Sequence, residues 1–284
     1  MLNRLVVYLR FVRFSHSVFA LPFALAGALL AARRVAFTPA TAGWILVAMV
    51  AARSAAMGFN RLVDANIDAK NPRTSSRELP RGEMSRFEAA AFVTVAALVF
   101  VYAASRLGPL CFLLSPVALA IVFWYSLAKR YTTWTQLFLG LAMAVAPVGG
   151  WLAVGGRGGW EPWILALAIG TWVGGFDVLY ACQDLEFDRA NGLRSIPVRF
   201  GVKRSLQISR AMHVLAIACL LALPRFTPLP PFYLAGVAAV GAMLAYEQSL
   251  VRADDLSQVT RAFDLNGYVG ILYLIVLAAS IYVQ

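Results

Sequence analysis

Long apolar runs separated by short polar connections dominate the chain. Several runs have roughly the ~20 residues that a helix needs to cross a bilayer. They lie at Val18–Ala32 and near 41–59, 87–105, 109–127, 135–154, 162–182, 212–228, 231–250 and 267–283. The pattern predicts an all-α fold, a polytopic membrane helix bundle of about nine transmembrane helices.

The segment Met1–Arg13 is basic and amphipathic, and it leads into the first apolar run. A signal peptide has a similar order of charge and apolar residues, and the small residues of Ala28–Ala32 would permit cleavage. We expect an uncleaved first helix, because this segment must pair with many later spans.

Composition agrees with a membrane protein. Of the 284 residues, 61% are hydrophobic and 14% are charged, with a mean hydropathy of +0.72, whereas soluble proteins carry about 25% charged residues. No polar stretch is long enough to fold alone, so residues 1–284 are predicted to form a single transmembrane domain. Cys111, Cys182 and Cys219 lie in or beside apolar segments without a CxxC pair, so neither a disulfide framework nor a zinc site is indicated.

The net charge of +11 can indicate nucleic-acid binding, but the basic residues lie between apolar spans rather than on one face. Membrane topology explains them better, because Lys and Arg concentrate in cytoplasmic loops. We therefore predict an integral protein of a bacterial-type inner membrane. Its partner is the lipid bilayer rather than nucleic acid, and its N-terminus and most basic loops face the cytoplasm.

The polar stretch Gly58–Gly82 ends the second apolar run. Asn60, Asp64 and Asp68 are four residues apart, so an α-helix presents them on one face. The arginines that follow are Arg73, Arg77 and Arg81. Carboxylate and amide oxygens suit Mg2+, and guanidinium groups suit phosphate. For one such stretch, an ordinary solvated helix end is an equal alternative. We expect the connection 69–86 to order over the site when a diphosphate binds.

A second stretch, Gly174–Gly201, has the same organisation. Its predicted helical face carries Asp177, Tyr180, Asp184 and Asp188, and arginines follow again. Two acidic stripes of this kind predict the halves of one site, in which Mg2+ would neutralise the carboxylates and hold a diphosphate. The apolar bundle would accept a long hydrocarbon tail, so the predicted substrate is amphipathic.

The segments NRLVDANID (60–68) and DLEFD (184–188) resemble the two aspartate-rich motifs of the UbiA superfamily of intramembrane prenyltransferases. Tyr125–Gly140 is similar to the third cytoplasmic segment of that family, so the resemblance covers nearly the whole chain. Ala262-Phe263 and Asn266 resemble a further element, in which Asp264 stands where an aromatic residue is expected.

Within the superfamily, FSH (14–16), FALPF (19–23) and Tyr246-Glu247 are similar to the branch called 4-hydroxybenzoate polyprenyltransferase-like. Some of its members act on 1,4-dihydroxy-6-naphthoate in futalosine-route menaquinone synthesis. The segment RELP (77–80) favours the same branch, since the ubiquinone enzymes tend to have proline in place of Glu78.

The resemblance implies a UbiA prenyltransferase fold over residues 1–284. It also implies Mg2+-dependent transfer of a polyprenyl group from polyprenyl diphosphate to an aromatic hydroxy-carboxylate, 4-hydroxybenzoate or 1,4-dihydroxy-6-naphthoate, in ubiquinone or menaquinone biosynthesis. The implied catalytic residues are Asp64, Asp68, Asp184 and Asp188, which form the implied metal site together with Asn60. The implied substrate-binding residues are Asn60, Arg73, Tyr125, Lys129, Arg130, Tyr180 and Arg194.

Each substrate-binding side chain has an expected role. Arg73, Lys129 and Arg194 are expected to donate to the diphosphate. Tyr125 and Tyr180 are expected to face the allylic cation. We expect Arg130 to bind the acceptor carboxylate, because a planar guanidinium can form two parallel hydrogen bonds to it. We expect Asp184 to accept the ring proton.

A cation-coupled membrane transporter is the alternative, because it also places acidic residues in a repeated helical bundle. Its carboxylates should lie near the bilayer midplane, whereas these lie at span ends and precede arginines. A phospholipid head-group transferase is a further alternative, but its dense DG…AR…G…D signature is not in the sequence.

Overall fold

The computed structural model describes residues 2–12 and 20–282, and this part of the chain is helical without any strand. The segment FSH (14–16) and the first residue of FALPF (19–23) lie outside the described residues. The α-helices are α1 (Leu2–Phe11), α2 (Leu21–Ala32), α3 (Pro39–Asp68), α4 (Arg86–Leu107), α5 (Pro109–Tyr131), α6 (Thr135–Ala153), α7 (Glu161–Ala181), α8 (Leu185–Ala190), α9 (Ile196–Ala222), α10 (Pro231–Leu250) and α11 (Val259–Tyr282).

The predicted all-α membrane bundle is confirmed. Within the described chain, seven helical segments are long and apolar enough to cross a membrane: α3, α4, α5, α6, α7 with α8, α9 and α11. Helix α2 is apolar but only 12 residues long, and α10, of 20 residues, is not among the seven. Each predicted apolar run therefore contains a helix, while the count of nine spanning helices stays a prediction.

Some helices extend well beyond the apolar runs that predicted them. Helix α9 begins at Ile196 rather than near 212, with a kink at Gly201 (φ 73°, ψ 166°) that separates its first residues from the rest. Helix α11 begins at Val259 rather than near 267. Hydropathy marks only the apolar part of a helix, whereas the backbone hydrogen bonds continue into polar turns until a cap ends them. At the start of α9 this cap is Ser195, whose hydroxyl accepts a hydrogen bond from the backbone N–H of Val198.

Helix α3 carries the first acidic stripe. It starts after Thr38, whose hydroxyl accepts a hydrogen bond from the backbone N–H of Thr41, and it continues for 30 residues to Asp68. A helix of this length exceeds the ~20 residues that cross a bilayer. Its last turns can therefore hold polar groups at the edge of the apolar layer.

Close backbone contacts between helices set the width of the bundle. A Cβ at Gly27 would overlap the carbonyl of Pro147, and a Cβ at Gly150 would overlap the carbonyl of Ala24. Helices α2 and α6 therefore pack backbone to backbone, as small residues allow in membrane proteins. Contacts continue around the bundle from α3 through α4, α5, α6, α7, α9, α10 and α11 to α2, and α2 contacts α3.

Candidate active site

A polar cavity of about 220 Å³ is lined by residues from the C-terminal ends of α3 and α7. The predicted site residues in its lining are Asn60, Asp64, Asp68, Arg73, Tyr125, Lys129, Tyr180, Asp184 and Asp188. The tertiary structure thus brings both acidic stretches, and part of α5, to one cavity.

The second acidic stretch is not one continuous α-helix, which differs from the prediction. Helix α7 ends at Ala181, and a 3-10 turn, Cys182–Asp184, precedes α8. A 3-10 turn has a tighter backbone than an α-helix and shifts the direction of the side chains that follow. Asp184 and Asp188 nevertheless line the same cavity as the first stripe.

Asp64 is 1% exposed, and its carboxylate accepts hydrogen bonds from two cations and one amide. Lys129 Nζ donates to Oδ2 at 2.5 Å, and Arg130 Nη2 donates to Oδ1 at 2.8 Å. Asn60 Nδ2, one turn earlier on α3, donates to Oδ2 at 3.3 Å. Buried carboxylates require such partners, because burial of an unpaired charge is strongly unfavourable. Asp64 therefore joins α5 to α3.

Asp184 is held by the connection that follows α3. Arg73 donates from Nε to Oδ1 at 3.0 Å and from Nη2 to Oδ2 at 2.6 Å, a bidentate arrangement that fits a carboxylate well. Asn71 Nδ2 adds a third bond to Oδ1 at 3.3 Å, and Arg73 Nη1 donates to the Tyr180 hydroxyl at 3.0 Å. Burial opposes the charge of Arg73, but the hydrogen bond and negative charge of Asp184 outweigh it and raise the Arg73 pKa above its ordinary value.

The connection 69–85 folds back over the end of α3. Arg77 Nη1 donates to Asp68 Oδ2 at 2.7 Å, and the Thr74 hydroxyl donates to the backbone carbonyl of Asp68 at 3.2 Å. Glu78, also buried, pairs with Arg61 of α3. The connection is therefore packed against the cavity, and its further ordering on diphosphate binding stays a prediction.

The donor set fits Mg2+ in chemistry. Carboxylates and an amide provide the hard oxygen ligands that this ion prefers, and those lining the cavity are Asn60, Asp64, Asp68, Asp184 and Asp188. Among the residues described, no three His, Cys, Asp or Glu side chains lie close enough together to hold a metal ion. The carboxylates of Asp64, Asp68 and Asp184 form ion pairs with basic side chains. A metal ion that binds these carboxylates would have to displace those basic side chains.

Two predicted substrate-binding side chains, Arg130 and Arg194, are not part of the cavity lining. Arg130 donates to the backbone carbonyls of Ser126 at 3.0 Å and Val63 at 2.8 Å, in addition to Asp64. Arg194 Nη1 donates to the backbone carbonyl of Tyr131 at 2.6 Å. Arg130 therefore uses both of its Nη atoms in contacts within the protein, whereas Arg194 uses one N–H group in the bond to Tyr131.

An apolar chamber of about 700 Å³ adjoins the polar cavity, since Tyr125 and Leu139 line both spaces. Among the described residues that line the chamber, Arg53 is the one with a charged side chain. It lies on α3 seven residues before Asn60, which places it two turns deeper on the same face. The sequence prediction missed Arg53, although its spacing to Asn60 and Asp64 could have identified it.

Asp177 also lines the polar cavity, on α7 one turn before Tyr180. Asp64, Asp68 and Asp184 each pair with a basic side chain, and no such ion pair involves Asp177 in the described part of the chain. The sequence pattern had placed Asp177 on the acidic face without giving it a role.

Helix α11 supports α7 behind the cavity. Asn266 is 1% exposed and accepts a hydrogen bond from Trp172 Nε1 at 2.7 Å. The ring of Phe263 lies 4.7 Å from the ring of Tyr180. Asp264 is exposed, so the departure from the family element at this position does not enter the core.

Comparisons with known proteins agree with this architecture. The sequence model of the UbiA prenyltransferase family matches residues 20–275. A 4-hydroxybenzoate octaprenyltransferase of Cronobacter sakazakii is 31% identical over 241 residues, which cover 84% of this chain and 83% of that protein. A relative of the same name from Vibrio parahaemolyticus is 31% identical over 223 residues, 78% of each chain.

Solved structures share the fold. The apo structure of a UbiA homolog from Aeropyrum pernix K1 superposes with a TM-score of 0.84 at 34% identity, covering 95% of this chain and 98% of that one. A UbiA homolog from Archaeoglobus fulgidus bound to GPP and Mg2+ gives a TM-score of 0.72 at 19% identity, covering 96% and 99%. The second likeness concerns the fold alone.

Proposed function

This chain belongs to the UbiA prenyltransferase family, and from that premise we propose that it transfers a polyprenyl group from polyprenyl diphosphate to an aromatic hydroxy-carboxylate in quinone biosynthesis. One observation carries the proposal: a polar cavity lined by two acidic motifs and several cations adjoins a large apolar chamber at Tyr125. Such a pair of spaces suits a substrate with a diphosphate head and a hydrocarbon tail.

The polar cavity is the proposed diphosphate site. Arg73, Arg77 and Lys129 line it and are the cations that can donate to phosphate oxygens. The proposed Mg2+ ligands are Asn60, Asp64, Asp68, Asp184 and Asp188. Bound Mg2+ would neutralise the diphosphate and make it a better leaving group. The UbiA homolog from Archaeoglobus fulgidus, which shares the fold, is bound to GPP and Mg2+, and this supports the choice.

The apolar chamber is the proposed site of the prenyl tail. Its lining is mostly Ala, Leu, Val and Met side chains from α2 to α7, with Arg53 as the charged residue among those described, so most of its surface can bury a hydrocarbon chain. Tyr125, at the boundary with the polar cavity, is placed to present its ring to an allylic cation that forms there. Tyr180 is the second aromatic candidate, although its hydroxyl already accepts a hydrogen bond from Arg73.

We propose Arg53 as a candidate for recognition of the acceptor carboxylate, in addition to Arg130. Arg53 is the charged residue of the described chamber lining and shares that lining with Tyr125, and a guanidinium can form two parallel bonds to a planar carboxylate. The Arg130 guanidinium lies outside this lining and contacts Asp64 and two backbone carbonyls. An acceptor bound at Arg53 would place its ring close to the boundary of the two spaces, which is where the bond must form.

The proposed chemistry is an electrophilic aromatic substitution. The bond between the prenyl C1 and the diphosphate oxygen breaks, and a bond from C1 to a ring carbon beside the hydroxyl forms. The ring proton then passes to a carboxylate. Asp177 suits this step better than Asp184, because Arg73 and Asn71 already donate to the Asp184 oxygens.

The relatives named 4-hydroxybenzoate octaprenyltransferase support 4-hydroxybenzoate as the acceptor, and 1,4-dihydroxy-6-naphthoate is the second candidate from the branch motifs. We further propose that residues 1–284 form one transmembrane prenyltransferase domain in a bacterial inner membrane. The N-terminus and the acidic motifs would face the cytoplasm, as the distribution of Lys and Arg favours.

The test is turnover by the purified protein in detergent with Mg2+ and a long-chain prenyl diphosphate. Each acceptor is supplied separately, and the product is identified by mass. A prenylated acid supports the proposal and identifies the acceptor. If neither acid is prenylated while the protein in liposomes moves cations along a gradient, the transporter alternative would replace it.

A further inference from the structure

A buried polar cluster in the second half of the bundle takes no part in the proposed chemistry. It consists of Ser209 and His213 on α9 and Gln248 on α10, which are 0%, 4% and 9% exposed. Gln248 Nε2 donates to Ser209 Oγ at 2.7 Å and to His213 Nδ1 at 3.0 Å. Since Nδ1 accepts this bond, the neutral imidazole carries its proton on Nε2.

The side chains of Ser209 and His213 also donate hydrogen bonds to the backbone of α7. Ser209 Oγ donates to the carbonyl of Gly175 at 2.7 Å, and His213 Nε2 donates to the carbonyl of Trp172 at 3.2 Å. The two carbonyls are three residues apart and so lie on one face of α7. Gln248 orients both donors at once, and the cluster therefore holds α7 at two points along its length.

Helix α7 packs along α9, and at Gly174 and Gly175 it presents no side chain to that contact. A Cβ at Gly175 would lie 2.5 Å from His213 Cδ2. Glycines allow two helices to approach closely, but at these positions no side chain projects from α7 to fix its rotation about its own axis. Directional hydrogen bonds to carbonyls do set it, because a rotation of the helix would break them.

The rotation of α7 decides which side chains enter the cavity. Asp177 follows Gly175 by two residues, which on an α-helix is about 200° around the axis. The cluster therefore bonds to one side of α7, and Asp177 lies on the opposite side, where it lines the cavity. The next turns carry Tyr180 and the 3-10 turn with Asp184.

We propose that Ser209, His213 and Gln248 are positioning residues that set the rotation of α7 and thereby align the second acidic motif with the first. The inference rests on the proposed function for its kinetic consequence, but its structural consequence can be measured without turnover. The cluster touches neither cavity, so it acts only through α7.

The test compares Ser209→Ala and Gln248→Met with the matched control Tyr233→Phe. Tyr233 is 0% exposed, and its hydroxyl donates to the Leu220 carbonyl at 3.1 Å. The control therefore removes a buried hydrogen bond between the same two helices, α9 and α10, without removing a bond to α7. Thermal unfolding in detergent gives the loss of stability for all three variants.

The structural readout is the distance distribution between spin labels at Lys70→Cys and Glu186→Cys. Both residues are exposed, and they lie just beyond α3 and in α8. The background replaces Cys111, Cys182 and Cys219 by Ala and must keep the unfolding temperature of the wild-type protein in detergent. We expect the distribution to broaden or shift in Ser209→Ala and Gln248→Met and to stay unchanged in Tyr233→Phe.

The kinetic readout is the half-saturation for Mg2+ and the KM for prenyl diphosphate. We expect both to rise roughly threefold to tenfold in the two cluster variants, the size expected for one or two interhelical hydrogen bonds, with no such rise in Tyr233→Phe. Unchanged distances in the cluster variants, or equal changes in the control, would overturn the inference. Lack of turnover by the wild-type protein would instead overturn the proposed function and leave the distance test valid.

Discussion

Arg61 of α3 and Glu78 of the connection form an ion pair whose side chains are only 5% and 9% exposed. The pair lies where the chain leaves α3 and folds back over the cavity. It joins the connection that carries Arg73 and Arg77 to the helix that carries the first acidic motif. The arginines of the proposed diphosphate site are therefore fixed at a second point, beyond their own contacts with Asp68 and Asp184.

Replacement of Glu78 by Gln should destabilise the protein strongly. The change removes the countercharge of a buried guanidinium, and loss of one partner of a buried pair costs about 3–5 kcal/mol. The matched variant is Glu83→Gln, which removes ion pairs with the more exposed Arg10 and Arg81 and should cost about 1 kcal/mol or less. Thermal unfolding in detergent measures both, and equal losses would show that the buried pair does not anchor the connection.

Replacement of Asp64 or Asp184 by Ala should abolish turnover, and thermal unfolding should show the larger loss of stability for Asp64, which is buried and pairs with Lys129 and Arg130. Each change removes a carboxylate from the proposed Mg2+ site. It also leaves the basic partners of that carboxylate, Lys129 and Arg130 for Asp64 or Arg73 for Asp184, without their negative charge. Asp264→Ala, which removes an exposed acid from α11, is the control and should keep full activity. Near-wild-type turnover in either site variant, or full activity of the wild-type protein in excess chelator, would contradict a metal-dependent reaction.

Arg73→Lys should weaken the use of prenyl diphosphate although the charge is kept. Lysine cannot reproduce the bidentate contact with Asp184 or the additional bond to Tyr180. We expect KM for the diphosphate to rise about tenfold or more, since hydrogen bonds between charged groups contribute about 1.5–3 kcal/mol. Arg81→Lys, at an exposed residue outside the cavity lining, should have almost no effect in the same assay.

Arg53→Lys should raise the acceptor KM about tenfold or more, with a small effect on prenyl diphosphate, because the proposed carboxylate fork is lost. Arg130→Lys should act differently. It breaks contacts with Asp64 and with backbone carbonyls of α3 and α5, so both substrates should be affected alike. The opposite pattern, with an acceptor-specific loss only in Arg130→Lys, would restore the assignment that the sequence suggested.

Asp177→Asn should lower kcat for the aromatic acceptor while KM for prenyl diphosphate changes little. Asparagine keeps the shape and hydrogen-bonding capacity of the side chain but cannot take the ring proton. General-base catalysis typically contributes about 10²–10⁴-fold, so a loss of at least one hundredfold in kcat is expected. A comparable loss in diphosphate binding would instead assign Asp177 to the diphosphate and metal site.

Several features of this protein follow from local sequence alone. Apolar runs of sufficient length require helices in a membrane, because every backbone polar group must be satisfied within the segment. The spacing of Asn60, Asp64 and Asp68 predicts a common helical face, and α3 extends through all three residues. These conclusions depend only on helix periodicity and hydropathy.

Only the tertiary structure decided how charges pair across the two acidic motifs. Arg73 contacts Asp184, and Lys129 contacts Asp64, over large separations in the chain. Sequence reasoning identified these cations but could not separate them from Arg194, which contacts a backbone carbonyl, or from Arg130, which contacts two backbone carbonyls as well as Asp64. Such choices depend on the rotation of neighbouring helices and on where a connection folds back, and no local pattern encodes either. For Arg53, helix periodicity could have indicated the shared face with Asn60 and Asp64, but the chamber that it lines together with Tyr125 forms only when α3 packs against α5.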